Sequence, residues 1–238
     1  GSSRGLGHAM ARALAEAGAS IVLNARDNVA LGAAAADLAA TGADVRALAF
    51  DVTNEDGVIE AIDYCEREIG AIDILVNNAG MQLRGPLETY ARDTFELMLA
   101  THVTATFSVS KAVARHMLPR RAGRIINICS VLTEVARPTA APYGAAKAAV
   151  ANLTRGMAAD WARQGLNINA IAPGYFKTDL NTTLMADPQF NAWVEQRTPM
   201  GRWGELEELG GAVVFLASPA ASFVNGHILY VDGAFTAT

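Results

Sequence analysis

The sequence predicts an α/β fold in which a doubly wound parallel sheet is covered by helices on both faces. Three observations carry this expectation. Short runs rich in Val, Ile and Leu alternate with longer amphipathic stretches along the chain. A glycine-rich turn, Gly1-Ser2-Ser3-Arg4-Gly5-Leu6-Gly7, opens the first of those stretches. The chain's 238 residues are 51% hydrophobic and only 18% charged, enough for one large core, so a single domain over 1–238 is expected.

Taken in order, the turn leads into a helix near 7–17, and Ser20-Ile21-Val22-Leu23-Asn24 reads as a strand. A helix near 28–40 precedes a strand from Val45 to Ala49, and one near 54–68 precedes Ile72-Asp73-Ile74-Leu75-Val76. A long helix near 93–117 leads to Gly123-Arg124-Ile125-Ile126-Asn127-Ile128, and another near 143–163 to Asn167-Ile168-Asn169-Ala170-Ile171. A helix near 205–217 and a strand from His227 to Val231 complete the series. Short β-rich runs separated by helices indicate parallel strands buried on both faces. The segment from Pro173 to Arg202 is less periodic and is interrupted by Pro188 and Pro199. Residues 174–204 are expected to form a substrate loop or lid, with an ordinary surface excursion as the alternative. A glycine-rich turn of this type normally leaves a strand, and none precedes Gly1. The first strand is therefore expected to be missing from this chain rather than from the fold, since a central gap would expose backbone groups and apolar neighbours.

Composition excludes several function classes. A net charge of -5, from 24 acidic and 19 basic residues, gives no support to a nucleic-acid surface. Arg120-Arg121 reads as a solvated helix-end turn. Cys65 and Cys129 make neither a metal-ligand pattern nor a disulfide framework, and both are expected to be reduced and interior. No membrane span or signal peptide is visible, so a cytoplasmic location is expected. The mean hydropathy of +0.19 points to apolar surface buried between subunits.

The chemistry centres on Tyr143 and Lys147, four apart on one helix face, with Ser130 thirteen residues before the tyrosine. A lysine so placed lowers the cost of a tyrosinate, and the serine can bond the same substrate oxygen. This arrangement suits proton transfer to or from an alcohol while a hydride moves at its carbon; a partly exposed helix pair is the plainer alternative. The small residues of the first turn would bring backbone N–H groups to a pyrophosphate at a helix N-terminus, as in a Rossmann-like sheet. At the end of the next strand, Ala25 stands where an acid often binds the adenosine ribose. Arg26 and Arg4 could instead pair with a 2′-phosphate, so NADP(H) is expected to be preferred, with NAD(H) possible.

In order and spacing, Asp51-Val52, Asn77-Asn78-Ala79-Gly80, Ser130, Tyr143 with Lys147, and Pro173-Gly174-Tyr175-Phe176-Lys177-Thr178 resemble the short-chain dehydrogenase/reductase family over essentially the whole chain. The resemblance implies a cofactor site of Gly1, Ser3, Arg4, Gly5, Leu6, Gly7, Arg26, Asp51, Val52, Asn78, Ala79, Gly80, Tyr143, Lys147, Pro173, Gly174 and Thr178. It also implies that Tyr143 is the general acid in reduction and the base in oxidation. Lys147 would lower its pKa and bind the nicotinamide ribose, Ser130 would orient the substrate oxygen, and no metal would be needed. Asp51 as a strand-end cap and Thr178 as a helix N-cap are the structural alternatives. One position departs from the family: His102 stands where it normally has a catalytic asparagine that holds a water in the proton path. Histidine can preserve that relay, change its pH response or damage it.

Within the family, Ile126–Ser130, Glu134, Arg137, Arg197-Thr198-Pro199, Arg202-Trp203-Gly204 and Phe223–His227 are similar to the gluconate 5-dehydrogenases. That subgroup interconverts D-gluconate and 5-keto-D-gluconate, so the implied substrate is a small sugar acid or keto acid. Arg84 or Arg137 could fork onto its carboxylate while Glu134 accepts hydroxyl hydrogen bonds, the alternative being a local Glu134–Arg137 pair. Trp193 and Trp203 could pack a lid or wall a pocket. Arg202 could reach substrate or tie its loop to the next helix, and Lys177 could assist the cofactor or face solvent. The resemblance further implies a homotetramer built partly on the 93–117 and 143–163 helices. The rivals are a reductase of another sugar, carbonyl or 3-oxoacyl thioester, and a catalytically weak cofactor-binding protein.

Overall fold

The computed structural model describes residues 1–178 and 181–237. Its strands are β1 (Ile21–Leu23), β2 (Val45–Ala47), β3 (Ile74–Asn77), β4 (Gly123–Ile128), β5 (Leu166–Pro173) and β6 (Ile228–Val231). Its α-helices are α1 (Gly5–Glu16), α2 (Asn28–Ala39), α3 (Glu55–Tyr64), α4 (Arg92–Leu99), α5 (Ala105–Arg120), α6 (Ala141–Trp161), α7 (Thr182–Met185), α8 (Pro188–Arg197) and α9 (Gly210–Ala217). Every described strand pair is parallel: β1 beside β2, and separately β3-β4-β5-β6 in that order. The first turn lies between the two sheets. Ser2 N–H donates to Asn24 O after β1, and Asn78 Nδ2 after β3 donates to Gly1 O at 2.6 Å.

Side-chain alternation divides the core into two layers. In β4, Ile126 packs with α1, α2 and α9 through Met10, Leu31 and Val213, while its neighbour Ile125 packs with α3, α5 and α6 through Val58, Val113 and Met157. Ile171 and Ile168 of β5 divide in the same way. Burial on both faces explains why these strands read as continuous apolar runs. Each fully buried side chain of this kind contributes about 2 kcal/mol. Asn127 of β4 interrupts the run, and it is fully paired: its amide donates to Thr154 Oγ1 at 2.9 Å and its oxygen accepts from Asn77 Nδ2 at 2.9 Å.

Several expectations are corrected. Helices α4 and α5 form one rod joined by a π-helical turn, Ala100–Thr104, and α3 runs into another, Cys65–Ile69. The 205–217 stretch begins as a 3₁₀ turn, Leu206–Leu209, before α9. The excursion after β5 holds α7 and α8. Pro188 opens α8 rather than breaking the chain, because Asp187 caps the helix through the amides of Gln189 and Phe190 and a first-turn proline loses no hydrogen bond. Asp179 and Leu180, within the expected lid, lie outside the described residues. Arg120 is not simply solvated: it forks onto Glu66 at 2.6 and 3.1 Å and donates to Ile72 O at 2.9 Å. Cys65 and Cys129 are buried and free. Among the described residues, no helix is long and apolar enough to cross a membrane.

Candidate active site

A cleft of about 740 Å³ runs along the carboxyl ends of the strands, where loops rather than helices face the sheet. Arg4, Arg26 and Asp51 line one end, and Ser130, Tyr143 and Lys147 line the other. Of the expected cofactor and catalytic residues, all line this cleft: Gly1, Ser3, Arg4, Gly5, Leu6, Gly7, Arg26, Asp51, Val52, Asn78, Ala79, Gly80, His102, Ser130, Tyr143, Lys147, Pro173, Gly174 and Thr178. Arg84 lines it as well, whereas Glu134 and Arg137 do not.

At the first end, a Cβ on Gly7 would lie 2.1 Å from Gly1 O, so only glycine lets the turn close. Helix α1 then starts without a side-chain cap, leaving its first amides to meet an anion. Asp51 does cap its strand end, accepting from the amide and hydroxyl of Thr53 at 2.9 and 2.7 Å. Those bonds hold its carboxyl below the ordinary carboxylate range, with Arg26, 3.8 Å away, adding a smaller pull.

At the other end, α6 carries Tyr143 and Lys147 against the turn that follows β4. Lys147 is buried and donates to Ile128 O at 2.6 Å, and its Nζ stands 5.6 Å from the Tyr143 ring centre. Burial pushes the ammonium down to about 8, with Cys129 acting the other way. Burial pushes the Tyr143 phenol up to about 12, while the Ser130 hydroxyl draws it the other way. Both groups are thus protonated at neutral pH, and the lysine is the stronger acid of the two.

His102 occupies the π turn and is buried, its ring edge-on to Tyr143 at 5.4 Å between centres. Nε2 lies 2.7 Å from Met81 O and 3.2 Å from Met81 N, and the shorter approach assigns the ring proton to Nε2. Nδ1 is then a buried acceptor without a partner. Burial, followed by the Lys147 charge, pushes the imidazole down to about 4, so it is neutral at pH 7. Gly80 makes room for it: a Cβ there would sit 2.5 Å from His102 Cε1.

An adenine dinucleotide phosphate fits the residues present. The uncapped helix N-terminus faces the middle of the cleft, two arginines face one end, and Thr178 Oγ1 is buried with no hydrogen-bond partner among the described residues. The remaining expected contacts are placed as follows. Glu134 is exposed, and with burial its carboxylate pushes the Tyr230 phenol well above its ordinary value; no Glu134–Arg137 ion pair occurs among the described residues. Lys177 pairs with Glu205, and Arg202 forks onto Glu208 at 2.7 Å through both nitrogens, so each ties its loop together. Trp203 is buried against Phe190 and Val194, and Trp193 is partly exposed.

Sequence reasoning missed Tyr175, which lines the cleft and has the rings of Phe190, Trp193, Trp203 and Phe235 within 5.8 Å between centres. It also missed the α8 face behind it, for which Asp187-Pro188 was the available signal. The π turn under His102 has no residue signature.

Comparison with known proteins gives a consistent picture. The profile of a family described as enoyl-(acyl carrier protein) reductase matches residues 1–236. A gluconate 5-dehydrogenase of Gluconobacter oxydans (strain 621H) is 52% identical over 99% of this chain and 92% of its own length. A 5-keto-D-gluconate 5-reductase of Escherichia coli (strain K12) is 45% identical over 98% of this chain and 92% of its own. Among solved structures, a gluconate 5-dehydrogenase from Burkholderia cenocepacia J2315, in complex with NADP and tartrate, superposes with a TM-score of 0.98 at 50% identity, covering 100% of this chain and 93% of that one.

Proposed function

We propose that this chain, a member of the short-chain dehydrogenase/reductase family, interconverts D-gluconate and 5-keto-D-gluconate with NADP(H). The carrying observation is the gathering of partly buried Tyr143 with buried Lys147 and Ser130 at one end of a cleft whose other end holds Arg4 and Arg26. Relatives named for this reaction at 52% and 45% identity support the substrate. The NADP held by the Burkholderia relative supports the cofactor.

In the reductive direction, Tyr143 and Ser130 hydrogen-bond the C5 carbonyl oxygen. The dinucleotide supplies the hydride, or accepts it in the reverse direction. As charge builds on the oxygen, the Tyr143 O–H bond breaks and a new O–H forms on the substrate. The tyrosinate takes a proton downhill from Lys147, because a group near 8 is a far stronger acid than one near 12. Lys147 regains its proton through water, for which neutral His102 Nδ1 is the acceptor. Residues 174–178 and 181–204 cover the substrate, the chain at either end joined by the Phe176–Gly204 bridge and by the pairing of Lys177 with Glu205 just beyond. Arg4 and Arg26 hold the 2′-phosphate that separates NADPH from NADH.

Reaction of 5-keto-D-gluconate with NADPH deuterated at the transferred position should place deuterium at C5 of D-gluconate. The rate per unit concentration should exceed that with NADH by at least about tenfold, as one charge-assisted contact implies. Label at another carbon, or a preference for NADH, would refute the corresponding half of the proposal.

A further inference from the structure

Helix α8 belongs to a small core of its own. Phe190, Val194 and Trp203 are buried together there, with Leu184, Met185 and Tyr175 packed against them. Tyr175 also packs into the cluster of Val131, Leu132, Ala140 and Phe235, against which Tyr143 lies. It is the residue these two clusters share, and its ring lines the cleft. A satellite core of this size opens at a lower free energy than the cores of the sheet. Whether Tyr175 stays in place as a cleft wall therefore depends on what else grips this joint.

Arg137 meets the joint from outside the cleft. Its Nη1 donates to the Tyr175 hydroxyl oxygen at 3.4 Å, and its guanidinium carbon lies 4.1 Å from the Phe190 ring centre and 5.2 Å from that of Trp193. The arginine is mounted on a rigid turn. Pro138 follows it, Thr139 has a φ of 66°, and Ala140 N–H donates to Arg137 O at 3.2 Å, the pattern of a type II turn. A β-branched residue is costly at that φ, so the turn is held from elsewhere. Gly85 N–H does this by donating to Thr139 O at 3.1 Å, which braces the turn against the loop after β3. One side of the contact is thus fixed, and the other is the satellite core. Two ring faces and a neutral hydroxyl bias an open–closed equilibrium by roughly five- to thirtyfold. That is enough to keep α8 closed and too little to bolt it. We propose that Arg137 is a positioning residue that clasps α8 through Phe190 and Trp193 and so fixes Tyr175 as a wall of the cleft. The clasp sets how often this wall opens. It goes beyond the proposed reaction and does not rest on the identity of the substrate.

Amide hydrogen exchange of the ligand-free protein reads the clasp directly. Arg137→Met removes the charge and keeps much of the side chain's length. Amides 191–197 of α8 should then exchange about five- to thirtyfold faster, while those of α5 keep their wild-type rates. Arg137→Lys, which retains a cation over the rings, should fall between. Arg137→Met combined with Phe190→Leu should accelerate exchange by less than the product of the two separate effects, because both remove one contact. In reduction of 5-keto-D-gluconate, Arg137→Met should raise KM severalfold with kcat within about threefold, as expected when the closed form is less populated. The exchange result decides the clasp even if that compound is not the substrate. Unchanged exchange in α8, equal acceleration in α8 and α5, or strictly multiplicative effects of the two substitutions would overturn the clasp. Faster exchange in α8 with an unchanged KM would overturn its hold on the cleft wall.

Discussion

His102 has a cost that can be read in solution. A neutral imidazole with an unpartnered Nδ1 sits beside an ammonium in a buried π turn. Its folded-state pKa, about 4, lies below the ordinary 6.5, so the unfolded chain takes up the proton first as pH falls. The stability associated with neutral His102 is complete above pH 6.5 and is lost progressively as pH falls toward 4. At 1.36 kcal/mol per pH unit, the wild type should lose about 3 kcal/mol more unfolding free energy than His102→Asn over that range. Urea unfolding of both proteins at pH 7 and pH 4.5 checks this; parallel losses would show that His102 is not the titrating group. The same residue illustrates what a sequence can reveal. That Tyr143 and Lys147 share one helix was legible because a four-residue helical spacing has a fixed geometric meaning, whereas Ser130 was singled out by its place in the family pattern. His102 was legible as a departure, but its bond to Met81 depends on a π turn that no residue type announces.

At the scale of elements, α6, which carries Tyr143 and Lys147, is fixed by a polar chain through the core. Asn77 of β3 donates to Ser110 of α5 at 2.8 Å and to Asn127 of β4 at 2.9 Å, and Asn127 donates to Thr154 of α6, seven residues beyond Lys147. Linked to one another through the core, these groups set the depth of α6 against β4. Asn127→Ala should leave Asn77 and Thr154 short of a partner and cost about 2 kcal/mol in denaturant unfolding. A loss below about 0.5 kcal/mol would remove the network from the account. The strands and the long helices were legible because their periodicity is local. Helix α8 was not, because its proline was read as a break while the capping aspartate before it was overlooked. Arg120 was misread for another reason: its partner Glu66 lies 54 residues away, and only the packing of α5 beside the π turn after α3 brings them together.

At the scale of the whole molecule, one design accounts for both ends of the site. Parallel strands deliver their carboxyl-end loops to a single cleft, so residues far apart in sequence meet without any local motif joining them. That architecture was legible from the alternation of strands and helices. The aromatic shelf under Arg137 was not, since its rings come from the loop after β5, α8 and the chain beyond β6. The proposed reaction depends on Tyr143 giving the substrate its proton. Initial rates of NADPH oxidation with 5-keto-D-gluconate, wild type against Tyr143→Phe, test this most directly. Removing the proton donor should lower kcat by at least about a thousandfold, within the range for general acid catalysis, while the affinity for NADPH stays the same. A variant that keeps more than a tenth of the wild-type rate, or a wild type that binds NADPH and leaves 5-keto-D-gluconate unreduced, would contradict the account.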